Sequence, residues 1–323
     1  MVTARQIVRS YNTIARASDR DRKRRVKEAA KEFKDEQKRL EQVNALDAVR
    51  RYDEYINFLV SIHKYTSEKL DWNAINDEPS PPMAKKSDTN ERQAQEKLNT
   101  FSPSFLDKLF GYKKKIKRLE HDLVLARNKD GKEFNEAEEN YYDWVRLSKI
   151  SRGVLFKDAD FYRQAIEYFD PFSDIAEIGS KIEFSCYPDF VEIDLYVNND
   201  QVIPGYVLSL TKTGKLSQKE MAKGKIQELA QDHVCSGLLR VGREILAILP
   251  IQRVIIHSIS KVLISSTGHQ EELPIVSVIF TSEGMSNLNF DTIDPSDSLK
   301  NFKHNMKFSK VNGFTPIEKV TLN

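Results

Sequence analysis

Apolar residues recur every three or four positions through the first half of the chain, the spacing of one face of an α-helix. Between residues 26 and 40 the steps alternate between four and three, the period of helices that wind around one another. Residues 52–63 carry a wider apolar face, and a wide face packs against more than one neighbour. We therefore predict charged, coiled-coil-like helices over residues 1–70. We also predict a homo-oligomer or an obligate complex with other proteins.

A break follows at residues 71–101, where Pro79, Pro81 and Pro82 exclude a continuous helix and polar residues surround them. We predict a linker or a surface loop there.

The helical spacing then returns over residues 105–126 and again over 134–148. Between them, residues 128–131 (Asn-Lys-Asp-Gly) have the composition of a turn. Two apolar stripes joined by a short turn predict an antiparallel helical hairpin. With a connecting helix near 158–169, this unit is expected to span residues 102–170.

From residue 182 the apolar period changes to two, which is typical of strands with one buried face. Ser217 and Glu220 have the spacing of a capping box, so we expect a long helix from there to about Leu249. We expect Gly237 and Gly242 of this helix to lie where another backbone comes close. A final helix is predicted after Asp294-Pro295. Five strands are predicted, near residues 182–186, 191–197, 205–212, 253–264 and 274–281.

This order of elements predicts an α+β fold, with residues 171–323 forming one compact antiparallel-sheet domain that contains the long helix. The N-terminal half supplies the coiled-coil-like helices and the helical hairpin.

Charge is nearly balanced over the chain, with 50 Lys and Arg against 48 Asp and Glu, but it is unevenly distributed. The first 27 residues hold nine cations and two carboxylates, whereas residues 171–323 hold 15 cations and 18 carboxylates. Affinity for nucleic acid or an acidic partner is therefore expected at the amino end. An alternative is that residues 1–18, basic and free of acids, act as a mitochondrial presequence.

Cys186 and Cys235 are the chain's two cysteines, too few for a disulfide scaffold or a zinc site on their own. We expect a reducing, cytoplasmic location. His233 lies two residues from Cys235, where helical side chains point in different directions, so no metal site is expected. No nucleotide fingerprint is present, and we expect no cofactor. The longest apolar run, residues 245–251, is too short for a transmembrane segment.

Two dense basic runs are candidate nucleic-acid-binding sites, because clustered cations neutralise several phosphates. Their residues are Arg20, Arg22, Lys23, Arg24, Arg25, Lys27, Lys113, Lys114, Lys115, Lys117 and Arg118. The alternative is a solvated helix face paired with nearby acids such as Glu28, Glu32 and Asp122. A third reading is that Arg5, Arg9 and Arg16 bind an anionic membrane surface.

One acidic group resembles catalytic chemistry. Asp189, Glu192 and Asp194 lie on or beside a predicted strand, and Lys212 ends what we expect to be the neighbouring strand. Restriction-type nucleases combine magnesium-binding carboxylates with a lysine in this way. The group departs from that pattern, because Leu210 stands where those enzymes carry an acid. Residues 189 and 194 would also face opposite sides of an unbroken strand.

The function predicted from the sequence is therefore that of a non-enzymatic coiled-coil assembly or adaptor subunit, whose basic N-terminal region binds DNA, RNA or an acidic partner. The alternative is a divergent metal-dependent nuclease on the C-terminal domain.

Overall fold

A computed structural model of the protein describes residues 39, 41–103, 111–172, 181–198, 202–264 and 266–322, and it has a mixed α+β fold. The helices are α1 (residues 41–61), α2 (Trp72–Asp77), α3 (Thr89–Asn99), α4 (Tyr112–Leu155), α5 (Ala159–Phe169), α6 (Lys223–Ile248), α7 (Ser282–Ser286) and α8 (Pro295–Ser298). The strands are β1 (Lys181–Cys186), β2 (Phe190–Tyr196), β3 (Tyr206–Leu210), β4 (Leu216–Glu220), β5 (Arg253–Leu263), β6 (Gln270–Thr281), β7 (Lys303–Ser309) and β8 (Gly313–Thr315).

Six strands form one sheet in the order β1-β2-β5-β6-β7-β8, and β3 pairs with β4 in a separate hairpin. The prediction of a purely antiparallel sheet is wrong, because β2 and β5 are parallel. After β2 the chain makes the hairpin and returns along α6, so it enters β5 in the direction of β2. A crossover of this kind is the usual connection between parallel strands.

The predicted capping box at Ser217 and Glu220 is also wrong, since both residues lie in β4 and α6 begins only at Lys223. Ser217 pairs with Ser209 and Glu220 pairs with Tyr206 across the hairpin. The hairpin turn contains Gly214, whose φ of 76° lies in the left-handed region that favours glycine. Polar side chains along β4 conceal the strand from a pattern search.

The core lies between α6 and one face of the sheet. Every second residue of β2 is buried, and the predicted apolar stripe of α6 packs against that face. The same apolar cluster contains Trp72 of α2, Ile150 of α4 and Tyr162 of α5. The Trp72 indole N–H also donates to the Ile248 carbonyl oxygen at 2.6 Å. One core therefore joins the helical half to the sheet.

Gly237 and Gly242 of α6 face side chains and not another backbone, contrary to expectation. A Cβ placed on Gly242 would lie 2.6 Å from Phe280 Cδ2 and 2.9 Å from Met285 Cε. A Cβ on Gly237 would lie 3.8 Å from Leu195 Cδ2, an ordinary contact. Gly242 is therefore required by close packing, whereas Gly237 is not.

The hairpin predicted around residues 128–131 is wrong, because these residues lie inside the continuous 44-residue helix α4. The antiparallel partner of α4 is α3, which comes from the segment predicted to be a linker. Asn90 at the start of α3 contacts Asp130, and Phe101 just after α3 stacks on Tyr112.

Asp130 explains why the turn composition misled the prediction. Its carboxylate accepts hydrogen bonds from the backbone N–H groups of Asn90 (3.1 Å) and Glu91 (2.8 Å), and from the Asn90 side chain (2.6 Å). These are the amides that a helix N-cap normally serves. Burial alone would raise the pKa of Asp130, but these bonds hold it below its usual value.

Part of the wide apolar face of α1 is covered by the same chain, whereas Tyr55 and Phe58 remain 40% and 37% exposed. Leu59 packs with Leu229 and Ala230 of α6, and the Tyr52 and Tyr55 hydroxyls each donate to backbone carbonyls of the β3–β4 region at 2.8 Å. The apolar face from which an oligomer was predicted is therefore used in part within the chain. Assembly with other chains stays a prediction.

Candidate functional site

The first basic run, Arg20 to Lys27, lies outside the described residues. The second occupies the first two turns of α4, where Lys113, Lys114, Lys115, Lys117 and Arg118 are all exposed.

Four of these cations form a contiguous surface, here called the basic patch: Lys113, Lys114, Lys117 and Arg118. Residues three and four apart are neighbours on a helix, so Lys114 lies beside both Lys117 and Arg118, and Lys113 lies beside Lys117. Within the part of the chain that the structure describes, none of the four forms an ion pair. Asp122, which could have paired with Arg118, forms none with it either.

This arrangement costs stability. Like charges three or four apart on a helix repel each other. The amino end of a helix also carries the positive end of its dipole, which disfavours cations. The first turn of α4 has no acidic residue to offset either effect. A solvated face selected for stability would carry mixed charges, so helix stability does not account for the patch.

An aromatic pair lies beside the basic patch. The rings of Phe101 and Tyr112 stack at 6.3 Å and 22°, and Lys115 Nζ lies 5.3 Å from the Phe101 ring centre. Tyr112 is 44% exposed. The sequence alone did not reveal the pair, because antiparallel packing of α3 on α4 brings Phe101 to Tyr112. Tyr112 therefore presents an exposed ring among the cations, whereas Phe101 is half-buried.

The four acidic-site candidates do not converge. Asp189 lies in the β1–β2 turn, where its carboxylate contacts Lys157 Nζ at 3.0 Å. Glu192 and Asp194 share a face of β2, as expected, but β2 is flanked by β1 and β5. Lys212 lies in the turn of the separate β3–β4 hairpin. The prediction that Lys212 ends a strand next to β2 is wrong. The nuclease hypothesis therefore lacks the lysine that it requires beside the carboxylates.

Glu192 instead belongs to a polar row across the outer face of the sheet. Its Oε1 lies 3.0 Å from His257 Nε2 on β5, and His257 Nδ1 lies 2.7 Å from Ser277 Oγ on β6. The backbone N–H of Val320 donates to Ser277 Oγ at 2.9 Å, and Lys319 Nζ contacts Asp194 Oδ1 at 2.6 Å. The C-terminal segment thus covers the row.

A carboxylate, an imidazole and a hydroxyl in series are the groups of a proton relay. Here His257 and Ser277 have no exposed surface, so a substrate could not reach the Ser277 hydroxyl. Burial lowers the pKa of His257 against the opposing effect of Glu192, and a neutral ring satisfies both contacts. The row therefore serves to join strands and the C-terminal segment. Its partners escaped sequence analysis because strand register decides which residues meet.

Compared with protein-family models, with curated proteins and with solved structures, the chain matches none of them. Among the described residues, no helix is long and apolar enough to cross a membrane. The described residues also contain no group of three or more His, Cys, Asp and Glu side chains that could hold a metal ion.

Proposed function

We propose that the protein binds nucleic acid through the amino end of α4, as a non-enzymatic subunit that presents the basic patch on a pair of helices. The observation that carries this proposal is the run of four exposed cations without ion pairs among the described residues, placed where helix energetics disfavour them.

Single-stranded nucleic acid is the favoured class. The Cβ atoms of neighbouring patch residues are separated by roughly 5–6 Å, so their flexible side chains can reach successive phosphates of one strand. The stacked pair of Phe101 and Tyr112 adds a ring surface on which an unpaired base can stack, whereas the bases of a duplex are already stacked. Both features lie at the same end of the α3–α4 helix pair.

The experiment measures binding of a labelled single-stranded 20-mer and its duplex by fluorescence anisotropy, in salt from 50 to 200 mM. The test variant replaces Lys113, Lys114, Lys117 and Arg118 with Gln. Affinity for the single strand should fall, and the log–log salt slope should decrease by roughly 3, about 0.7 for each of four phosphates. The parent should prefer the single strand to the duplex.

A matched control replaces four exposed lysines that already contact carboxylates, so it removes the same charge from other surfaces. The control residues are Lys129, Lys132, Lys300 and Lys310. If both variants weaken binding of the single strand equally, the effect is due to net charge, which contradicts a localised site. The proposal also fails if the parent does not bind at low salt, or if the test variant binds with an unchanged slope.

The basic run near the amino end can be tested separately. Replacing Arg20, Arg22, Lys23, Arg24, Arg25 and Lys27 with Gln reports whether that run adds phosphate contacts of its own. A further loss of slope, added to that of the α4 variant, would indicate two independent contact regions.

A further inference from the structure

A cavity of about 680 Å³ opens where the pairing of β2 with β5 ends, between the sheet and the first turns of α6. The two strands run parallel toward it. In layered α/β structures, ligands commonly bind outside the carboxyl ends of parallel strands, where the connections diverge. The volume lies within the range of small-molecule sites, roughly 300–1,000 Å³.

A bulge in β6 lies at the cavity. The β5–β6 register shifts between Ser258 and Ile259, where β6 has one extra residue, Ile275, and a bulge bends its strand. The N–H of Val197 still donates to the Ile259 carbonyl at 2.9 Å, which holds the end of β2 in place. Beyond this point β5 pairs with β6 alone. Past the end of β2, the cavity is therefore bordered by the β5–β6 ribbon, which carries the bulge.

The cavity has an apolar floor and a polar rim. Its floor includes the buried side chains of Ile203, Ala230, Ile259 and Ile275. Its rim includes Lys181, Lys261, Glu272 and Gln227. A ligand that fits such a lining has an apolar body and one polar end.

The rim charges indicate the sign of that polar end. Lys181 is bound to the Glu183 carboxylate, which raises the Lys181 pKa and also accepts a hydrogen bond from the Tyr196 hydroxyl at 3.0 Å. Lys261 is exposed and, within the described ranges, forms no ion pair, although Glu272 lies opposite it in the β5–β6 ladder. Lys261 is therefore the rim cation that is available to a ligand.

We propose that this cavity binds a small amphipathic monoanion, with its apolar body on the floor between α6 and the sheet and its anionic head at Lys261. This site is separate from the basic patch of α4, so either can fail without the other. Decanoate is a suitable probe, because it combines a flexible apolar chain with one carboxylate. Decanol is its uncharged match.

Isothermal titration of the full chain measures binding of both probes to the parent and three variants. Lys261→Gln should weaken decanoate binding roughly tenfold and leave decanol binding unchanged, since it removes a charged contact to the head alone. Ala230→Leu should abolish binding of both probes, because it fills the floor. Lys132→Gln, at an exposed lysine on α4, should change neither.

Thermal melts establish that each variant is folded, and Ile226→Trp on another wall of the cavity replaces Ala230→Leu if that variant unfolds. The proposal is overturned if the parent does not bind decanoate at millimolar concentration, or if a folded, filled variant binds both probes like the parent. Equal affinity for decanol and decanoate, with no effect of Lys261→Gln, would overturn the assignment of the anionic head.

Discussion

The α6–sheet core and the α3–α4 helix pair are stabilised in different ways. In the core, α6 alone buries fifteen residues, most of them apolar. In contrast, α3 buries none, and α4 buries only Asp130 before Ser148. Oriented polar contacts hold α3 to α4: the cap at Asp130 and the ion pair between Arg127 and Glu91 at 2.6 Å. We infer that the helix pair opens locally without unfolding the core.

Glycine-to-alanine changes provide the largest expected contrast. Gly242→Ala should destabilise the chain by about 2–3 kcal/mol, because the new Cβ overlaps the buried Phe280 ring, which Phe302 packs against. Gly131→Ala in α4 should stabilise its helix by about 1 kcal/mol, since nothing lies within 4 Å of the new Cβ. Urea unfolding measures the first effect, and amide exchange across α4 measures the second.

Gly237→Ala is the control, because it lies in the same core helix without a close contact. It should be neutral or stabilising. If it costs as much as Gly242→Ala, the effect belongs to the helix and not to the contact with Phe280. If Gly131→Ala destabilises α4, the result would support the turn that the sequence predicted at residues 128–131.

Removal of the shared cap sharpens the contrast within the helix pair. Asp130→Ala should lower amide protection in α3 by roughly tenfold, because two N–H groups lose their acceptor. The melting of the sheet should be unchanged. Glu139→Ala, an exposed acid on the same helix, is the matched control. An equal loss of protection in β5 would show that the pair and the core unfold together.

A smaller effect is expected at Asp232 on α6. Burial, followed by the nearby Asp294 carboxylate, raises the pKa of Asp232 from 3.8 to about 6. The folded state therefore binds the proton more tightly than the unfolded state, and this contribution to stability is lost as pH rises from about 4 to 6. Asp232→Asn should stabilise the chain at pH 7 by about 1 kcal/mol, a value reduced for partial exposure. At pH 4 it should have little effect.

Denaturant unfolding at the two pH values tests this. A stabilisation of equal size at both would assign the effect to packing of the amide. Destabilisation at pH 7 would mean that the ionised carboxylate makes a favourable contact in the folded state.

The sequence predicted elements with strong local signals. The alternation in β2, the apolar stripe of α6 and its end before Pro250 all follow from the spacing of side chains. Prediction from the sequence failed where a residue makes its contacts with residues far away along the chain. Asp130 looked like a turn residue because nothing near it in sequence shows that it caps α3.

In the candidate sites, too, features set by local spacing were predicted from the sequence, and contacts between separate elements were not. The exposed positions of Lys113–Arg118 followed from helical periodicity. The stacking of Phe101 on Tyr112 did not, because it depends on how α3 packs against α4. Likewise, the contact between Glu192 and His257 required the parallel pairing of β2 with β5, which no local pattern encodes.

The parallel pairing of β2 and β5 also has a kinetic consequence. The two strands are neighbours in the sheet, yet the whole β3–β4 hairpin and α6 separate them along the chain. Such a non-local contact cannot form until a long loop closes, and proteins dominated by such contacts fold slowly. The α3–α4 pair requires only a short connection. Refolding should therefore begin with helix formation, and the sheet should set the overall rate.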